Sequence, residues 1–263
     1  ANYAVNNDLA TEAYFWLRDR KSGAAGTVAV GGNILGDKLS TIGTRAVYTG
    51  IENATLQAEA AYQTGTRMNS ALLNPNRTTN RTNDSRLHVD AWALQLIGSY
   101  AFKDVRHSPV LGASYTHLSG DKANDSGNYR AWDAMYENQA GGTIYNKILG
   151  FSNCDLTNVN LTLKPDYVDD LTVALNWYHI LLDNKLVNAT TSGYILSGVS
   201  AGQTYQVTSD KHFGDEIDLG LNYDYTEDVQ LGLNLGWLIT GDTLSNLNNN
   251  TATQAIASMK VTF

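Results

Sequence analysis

Apolar and polar residues alternate one by one through almost every structured stretch of this chain, and this period of two constrains its fold more than any other feature. From 216 to 225, Ile217, Leu219, Leu221, Tyr223 and Tyr225 share one face, while Glu216, Asp218, Gly220, Asn222 and Asp224 share the other. Wound as a helix, the segment would scatter charge all round. Extended, it separates cleanly, because successive strand side chains point to opposite faces. Leu231, Leu233, Leu235 and Trp237 repeat the pattern against Gln230, Gly232, Asn234 and Gly236. Val159, Leu161 and Leu163 oppose Asn158, Asn160, Thr162 and Lys164, and Leu171 to Trp177 alternate likewise with Thr172 to Tyr178. Fainter strands are expected at 9–18, 39–49, 54–65, 87–101 and 109–118, and a last one at 254–263. In the first of them Tyr14 and Trp16 oppose Phe15 and Leu17, so neither face is polar. This makes about ten strands, each near the 9–11 residues that a tilted strand needs to cross a bilayer.

The connections carry as much information as the strands. Short turns at 50–53, 103–108, 165–170 and 226–228 alternate without a break with long polar stretches at 19–38, 66–86, 119–156, 183–212 and 240–252. Structureless loops longer than about 12–15 residues are uncommon in compact soluble domains, whereas outer-membrane barrels pair short periplasmic turns with longer extracellular loops. The expected fold is therefore all-β, an antiparallel transmembrane β-barrel forming one domain over 1–263. Lipid offers no hydrogen-bond partners, so every strand edge must be paired. Apolar residues then face lipid and the polar set faces the lumen.

Composition removes the competing classes. No apolar run reaches the roughly 18 residues of a membrane helix. Charged residues make up only 17% of the chain, against about a quarter in soluble domains. A net charge of −8 argues against a nucleic-acid partner, which usually meets a basic face. The single cysteine, Cys154, excludes an intramolecular disulfide framework and a multi-cysteine metal site.

The candidate functional residues are those on polar strand faces, since such residues set pore selectivity. They are Arg45, Glu59, Gln63, Lys164, Glu216, Asp218, Asn222, Asp224 and Lys260. On 215–225 the three acids have no base on their own strand, and the next strand offers them only small neutral partners. Uncompensated, they would attract cations. In the third long stretch Asp121, Asn124 and Asp125 offer oxygen ligands suited to Ca²⁺ or to a partner, but without the alternating spacing of a dedicated calcium loop. Gly198-Val199-Ser200-Ala201-Gly202 matches the G-x-S-x-G elbow, yet no strand-to-helix context surrounds it, so no enzyme is expected. The five histidines form no pair at metal-ligand spacing; no metal and no cofactor are expected.

Several segments together resemble the alginate export family. His212-Phe213-Gly214-Asp215-Glu216-Ile217-Asp218-Leu219, the hairpin through Gly236-Trp237 and the following Gly241-Asp242 look like its final strands. Glu59, Gln63 and Gly65 are similar to its E-x-x-x-Q-x-G strand, and Ser119-Gly120-Asp121 resembles its strand-to-loop junction. The terminal Met259, Val261 and Phe263 resemble the C-terminal signature that barrel-assembly machinery reads in the outer membrane. The resemblance implies a bacterial outer-membrane barrel of about 18 strands, of which this chain is expected to be the C-terminal part. It further implies passive diffusion of an anionic polysaccharide or another polar solute. The alternative reading is a non-conducting structural or adhesive barrel that binds partners through its long loops.

Overall fold

The computed structural model describes residues 2–21, 36–68, 86–122, 128–135, 141–148, 152–186, 208, 210–244 and 249–262. They form one sheet of twelve strands: β1 (Asn2–Ala4), β2 (Leu9–Asp19), β3 (Lys38–Tyr48), β4 (Ala54–Met68), β5 (Arg86–Ala101), β6 (Val110–Leu118), β7 (Asn128–Tyr129), β8 (Cys154–Leu163), β9 (Leu171–Leu181), β10 (His212–Asp224), β11 (Val229–Thr240) and β12 (Ala252–Val261). Eleven run in sequence order, each antiparallel to the next, and β7 lies parallel to β5 beside that path. All ten strands read from the alternation are present. β1 and β7 are additions, as is a single helical turn, α1 (Tyr145–Ile148).

The register explains how the alternation is used. Val159 pairs with Trp177, Trp177 with Ile217 and Ile217 with Trp237, so four strands place their large apolar side chains in one row. All four are well exposed, between 37% and 41%. On a soluble protein such a stripe would invite aggregation; on a barrel wall it is the surface that lipid covers. Tyr48 with Leu56, and Ile42 with Tyr62 and Trp92, continue it around β3 to β5. The opposite, concave face carries Asn158, Asn160, Asn176, Glu216, Asp218, Asn222 and Gln254. The sheet is open: among the described residues the outer edges of β1 and β12 do not pair with one another.

At the loop end of the wall the concave face changes character. Leu118, Leu156, Ile180 and Leu238 follow the polar inward residues of β6, β8, β9 and β11 in the same parity, and all four are buried. They form one cluster with Phe213 and with Trp132, Ile144 and Tyr145 from the long β6–β8 connection. The core of this protein therefore sits inside the curve of the sheet, near its loop end.

Candidate functional site

The site is the concave face together with the segments of the β6–β8 connection that fold onto it. β6 ends opposite Ala93, while β5 runs on past it to Arg86. β7 takes the vacated edge, pairing Asn128 and Tyr129 with His88 and Val89. This leads residues 130–135 inward. Trp132 N donates to Ser119 O at 2.8 Å, and the Ser119 hydroxyl donates to Arg130 O at 2.7 Å.

Asp133 then locks the segment to β2 and β4. Arg18 donates to both of its carboxylate oxygens through Nη1 and Nη2, at 2.9 and 2.8 Å, in the bidentate geometry that makes guanidinium pairs strong. Arg67 Nη1 adds a third bond at 3.1 Å, its guanidinium also lying over the Tyr129 ring. Gln63, completely buried, holds the same residue by its main chain. Its Nε2 donates to Asp133 O at 2.6 Å, and Asp133 N donates to its Oε1 at 3.0 Å. Burial pushes the Asp133 carboxyl up, but the hydrogen bonds and positive charge of Arg18 and the charge of Arg67 outweigh it and hold the group below the usual carboxylate range.

A second anchor lies on β10. Ile144 N and Tyr145 N donate to the two carboxylate oxygens of Glu216, both at 2.7 Å. Thr143 donates to Asp218 Oδ2 through its N and its hydroxyl, both at 2.8 Å. Three successive main-chain N–H groups thus meet two carboxylates, a charge-assisted arrangement. Tyr145 is fully buried behind them and packs edge-on against Phe213 at 5.6 Å. Where the sequence offers Glu216 and Asp218 only small neutral partners, the fold supplies these amides. The small partners have another purpose: a Cβ on Gly236 would sit 2.9 Å from Asp218 Oδ1 and 3.4 Å from Ile144 Cδ1.

Gly142 is needed for this seat. Its φ of +82° is one that L side chains rarely adopt, and a Cβ there would lie 2.8 Å from the Glu216 carboxylate. Gly142→Ala is expected to loosen residues 141–148 while leaving β10 and its neighbours paired. Trypsin cleavage after Lys147 in detergent-solubilised protein, followed by mass spectrometry, should rise severalfold. An unchanged cleavage rate would show that the segment tolerates the methyl group.

Of the other residues read from the sequence, Arg45, Glu59, Asn222, Asp224 and Lys260 lie on β3, β4, β10 and β12, toward their turn ends. Arg45 pairs directly with Glu59 across β3 and β4, but its Nη2 donates to Gln57 Oε1 at 2.6 Å, while Glu59 accepts from the Tyr14 hydroxyl at 2.6 Å. Asn222 is exposed, as is Asp224, which accepts from Gln230 Nε2 at 2.7 Å. Lys260 lines a turn-end hollow with Asp224 and Asp228. Lys164 lies one residue beyond β8, exposed in a short turn. Asp121 is buried and accepts from Arg130 N at 3.0 Å. Asn124, Asp125, Phe263 and the Gly198–Gly202 elbow lie outside the described residues. What the alternation did not reveal is the inward segment, although Trp132, Ile144 and Tyr145 are a signal, being large apolar side chains in an otherwise polar connection.

Between the inward segment and the wall lies a cavity of about 170 Å³, lined among others by Tyr14, Trp16, Glu59, Gln63, Trp132 and Met135. A family model for alginate export matches residues 2–258, nearly the whole chain. The chain belongs to the alginate export family. Its antiparallel wall with an exposed apolar surface is that of an outer-membrane β-barrel, and residues of the β6–β8 connection pack onto the concave face of that wall. Of the solved structures, 31 chains match, among them the CymD monoaromatic hydrocarbon channel, with a TM-score of 0.42 and 11% identity over 100% of this chain and 72% of that one. No curated protein matches the chain.

Proposed function

We propose that this chain forms part of the wall of a bacterial outer-membrane channel through which small polar solutes diffuse passively, the inward segment setting the width of the path. The observation that carries this reading is the division of the concave face into a filled loop end and an open, polar turn end. At the turn end Glu12, Glu59 and Asp224 are balanced only in part by Arg45 and Lys260. At the loop end Arg18 and Arg67 are already engaged by Asp133. The described lumen therefore offers no continuous basic track of the kind that a polyanion would follow.

The open edges of β1 and β12 support a wider barrel in which further strands pair with them, since an unpaired edge cannot persist in hydrocarbon. An anionic polysaccharide is the second substrate class that family membership favours. It would depend on bases outside the described wall, such as Arg77 and Arg81. The long connections equally suit a non-conducting barrel that binds partners, and conductance separates the two. In planar bilayers the protein is expected to give discrete openings with weak cation preference in a KCl gradient. Absence of openings would sink the channel reading, and strong anion selectivity would favour the polyanion.

A further inference from the structure

Three side chains on the outer face, at the loop end of β9 and β10, meet for a reason built into the strand. Positions 212 and 215 are three apart, so in a regular strand they would point to opposite faces. Here the register shifts between His212 and Gly214: His212 pairs with Leu181, and Gly214 with Ile180. One extra residue, Phe213, is accommodated as a bulge that sends its ring into the core and returns His212 to the face of Asp215. Gly214 makes the bulge possible with a φ of +154°, where a Cβ would collide with Ile239 O. Directly opposite Asp215 on β9 stands His179.

The result is two imidazoles converging on one carboxylate. His179 Nδ1 lies 2.9 Å from Asp215 Oδ1, and His212 Nε2 lies 3.2 Å from Asp215 Oδ2. The two rings are 5.2 Å apart and inclined by 30°. All three candidate ligand atoms fall within 4.8 Å of one another. The edge of a tetrahedron with metal–ligand bonds of about 2.0–2.1 Å is about 3.3 Å, and each imidazole lies at about that separation from one of the two Asp215 oxygens. Each side chain remains about one third exposed, so an ion can enter and a fourth position stays open. The cluster sits at the base of the long β9–β10 connection, beside Trp177, whose ring stacks on His179 at 6.0 Å.

We propose that His179, His212 and Asp215 form a binding site for a divalent transition-metal ion that staples β9 to β10 at the loop-end rim. Two imidazole nitrogens and one carboxylate oxygen select zinc, copper or nickel over magnesium and calcium, which take oxygen ligands. The site is independent of the lumen and of what the channel carries.

The test uses the whole chain in detergent, stripped with chelator and desalted, and titrated calorimetrically with Zn²⁺ at neutral pH. The expected result is one tight equivalent, weakened about tenfold or more by each of His179→Gln, His212→Gln and Asp215→Asn. His117→Gln, in the neighbouring cluster with Asp155 and Asp183, is expected to leave it unchanged. Electron paramagnetic resonance of the wild type loaded with Cu²⁺ needs no variant and should show hyperfine coupling from two imidazole nitrogens. No Zn²⁺ binding, binding that survives all three substitutions, loss with His117→Gln in their place, or a copper spectrum with oxygen ligands alone would each overturn the proposal.

Discussion

Asp133→Ala is expected to be the most destabilising single substitution in the described lumen. It removes the shared acceptor of Arg18 and Arg67 and takes the bidentate partner from a guanidinium whose side chain is only 2% exposed and which also lies 3.4 Å from Asp37. Breaking a buried pair from one side costs about 3–5 kcal/mol, whereas an exposed pair contributes about 0–1 kcal/mol. Asp133→Asn keeps hydrogen-bonding capacity and loses the charge, so it should fall between wild type and alanine. The readouts are the temperature at which the folded band is lost on semi-native electrophoresis and the emission of Trp132, which should shift to the red as its segment leaves the core. A loss no larger than that of a surface pair would show that Asp133 does not hold the segment.

The same residue gives a direction with pH. Because its carboxyl is held below its ordinary range in the folded protein, it contributes stability that is fully present above the unfolded value of about 3.9. That contribution is lost as pH falls through the lower folded value. Acidification below about pH 4 should therefore release the segment in the wild type and change Asp133→Asn less.

The second large effect is expected from replacing Glu216 by Gln and Asp218 by Asn together. Four hydrogen bonds accepted by carboxyl oxygens pass to amide oxygens, and a bond to a neutral group is worth about 1 kcal/mol against about 1.5–3 for one to a charged group. The new amide N–H groups also compete for positions facing the donors at 143–145. Seating of α1 should weaken by at least a factor of about ten, since 1.4 kcal/mol is tenfold. Single-channel conductance should rise, and larger neutral solutes should pass. Reversal potentials across a KCl gradient separate this from a direct charge effect. Unchanged conductance with a loss of cation preference would mean that these carboxylates face the permeation path and do not hold the segment.

The sequence by itself determined the wall. A period of two is a local property, and each inward or outward position follows from its neighbours' parity. The ten long strands between Leu9 and Val261, the shared outward parity of Val159, Trp177, Ile217 and Trp237 on their own strands, and the alternation of turns with long connections were all legible for that reason. Glu216, Asp218 and Gln63 share the polar parity of their strands, but their partners were not legible. Those partners come from 70 or more positions away and are mostly main-chain N–H and C=O groups, which every residue carries and no pattern marks. The switch of the inward rows to Leu118, Leu156, Ile180 and Leu238 was present in the same parity. Its meaning appears only when curvature brings the four together around Trp132 and Tyr145. The outer cluster follows the same logic. His179 and His212 are 33 residues apart, and an extra residue at Phe213 reverses the parity that would have separated His212 from Asp215. Local alternation fixes which way a side chain points, while pairing register, bulges and the path of a long connection decide what it meets.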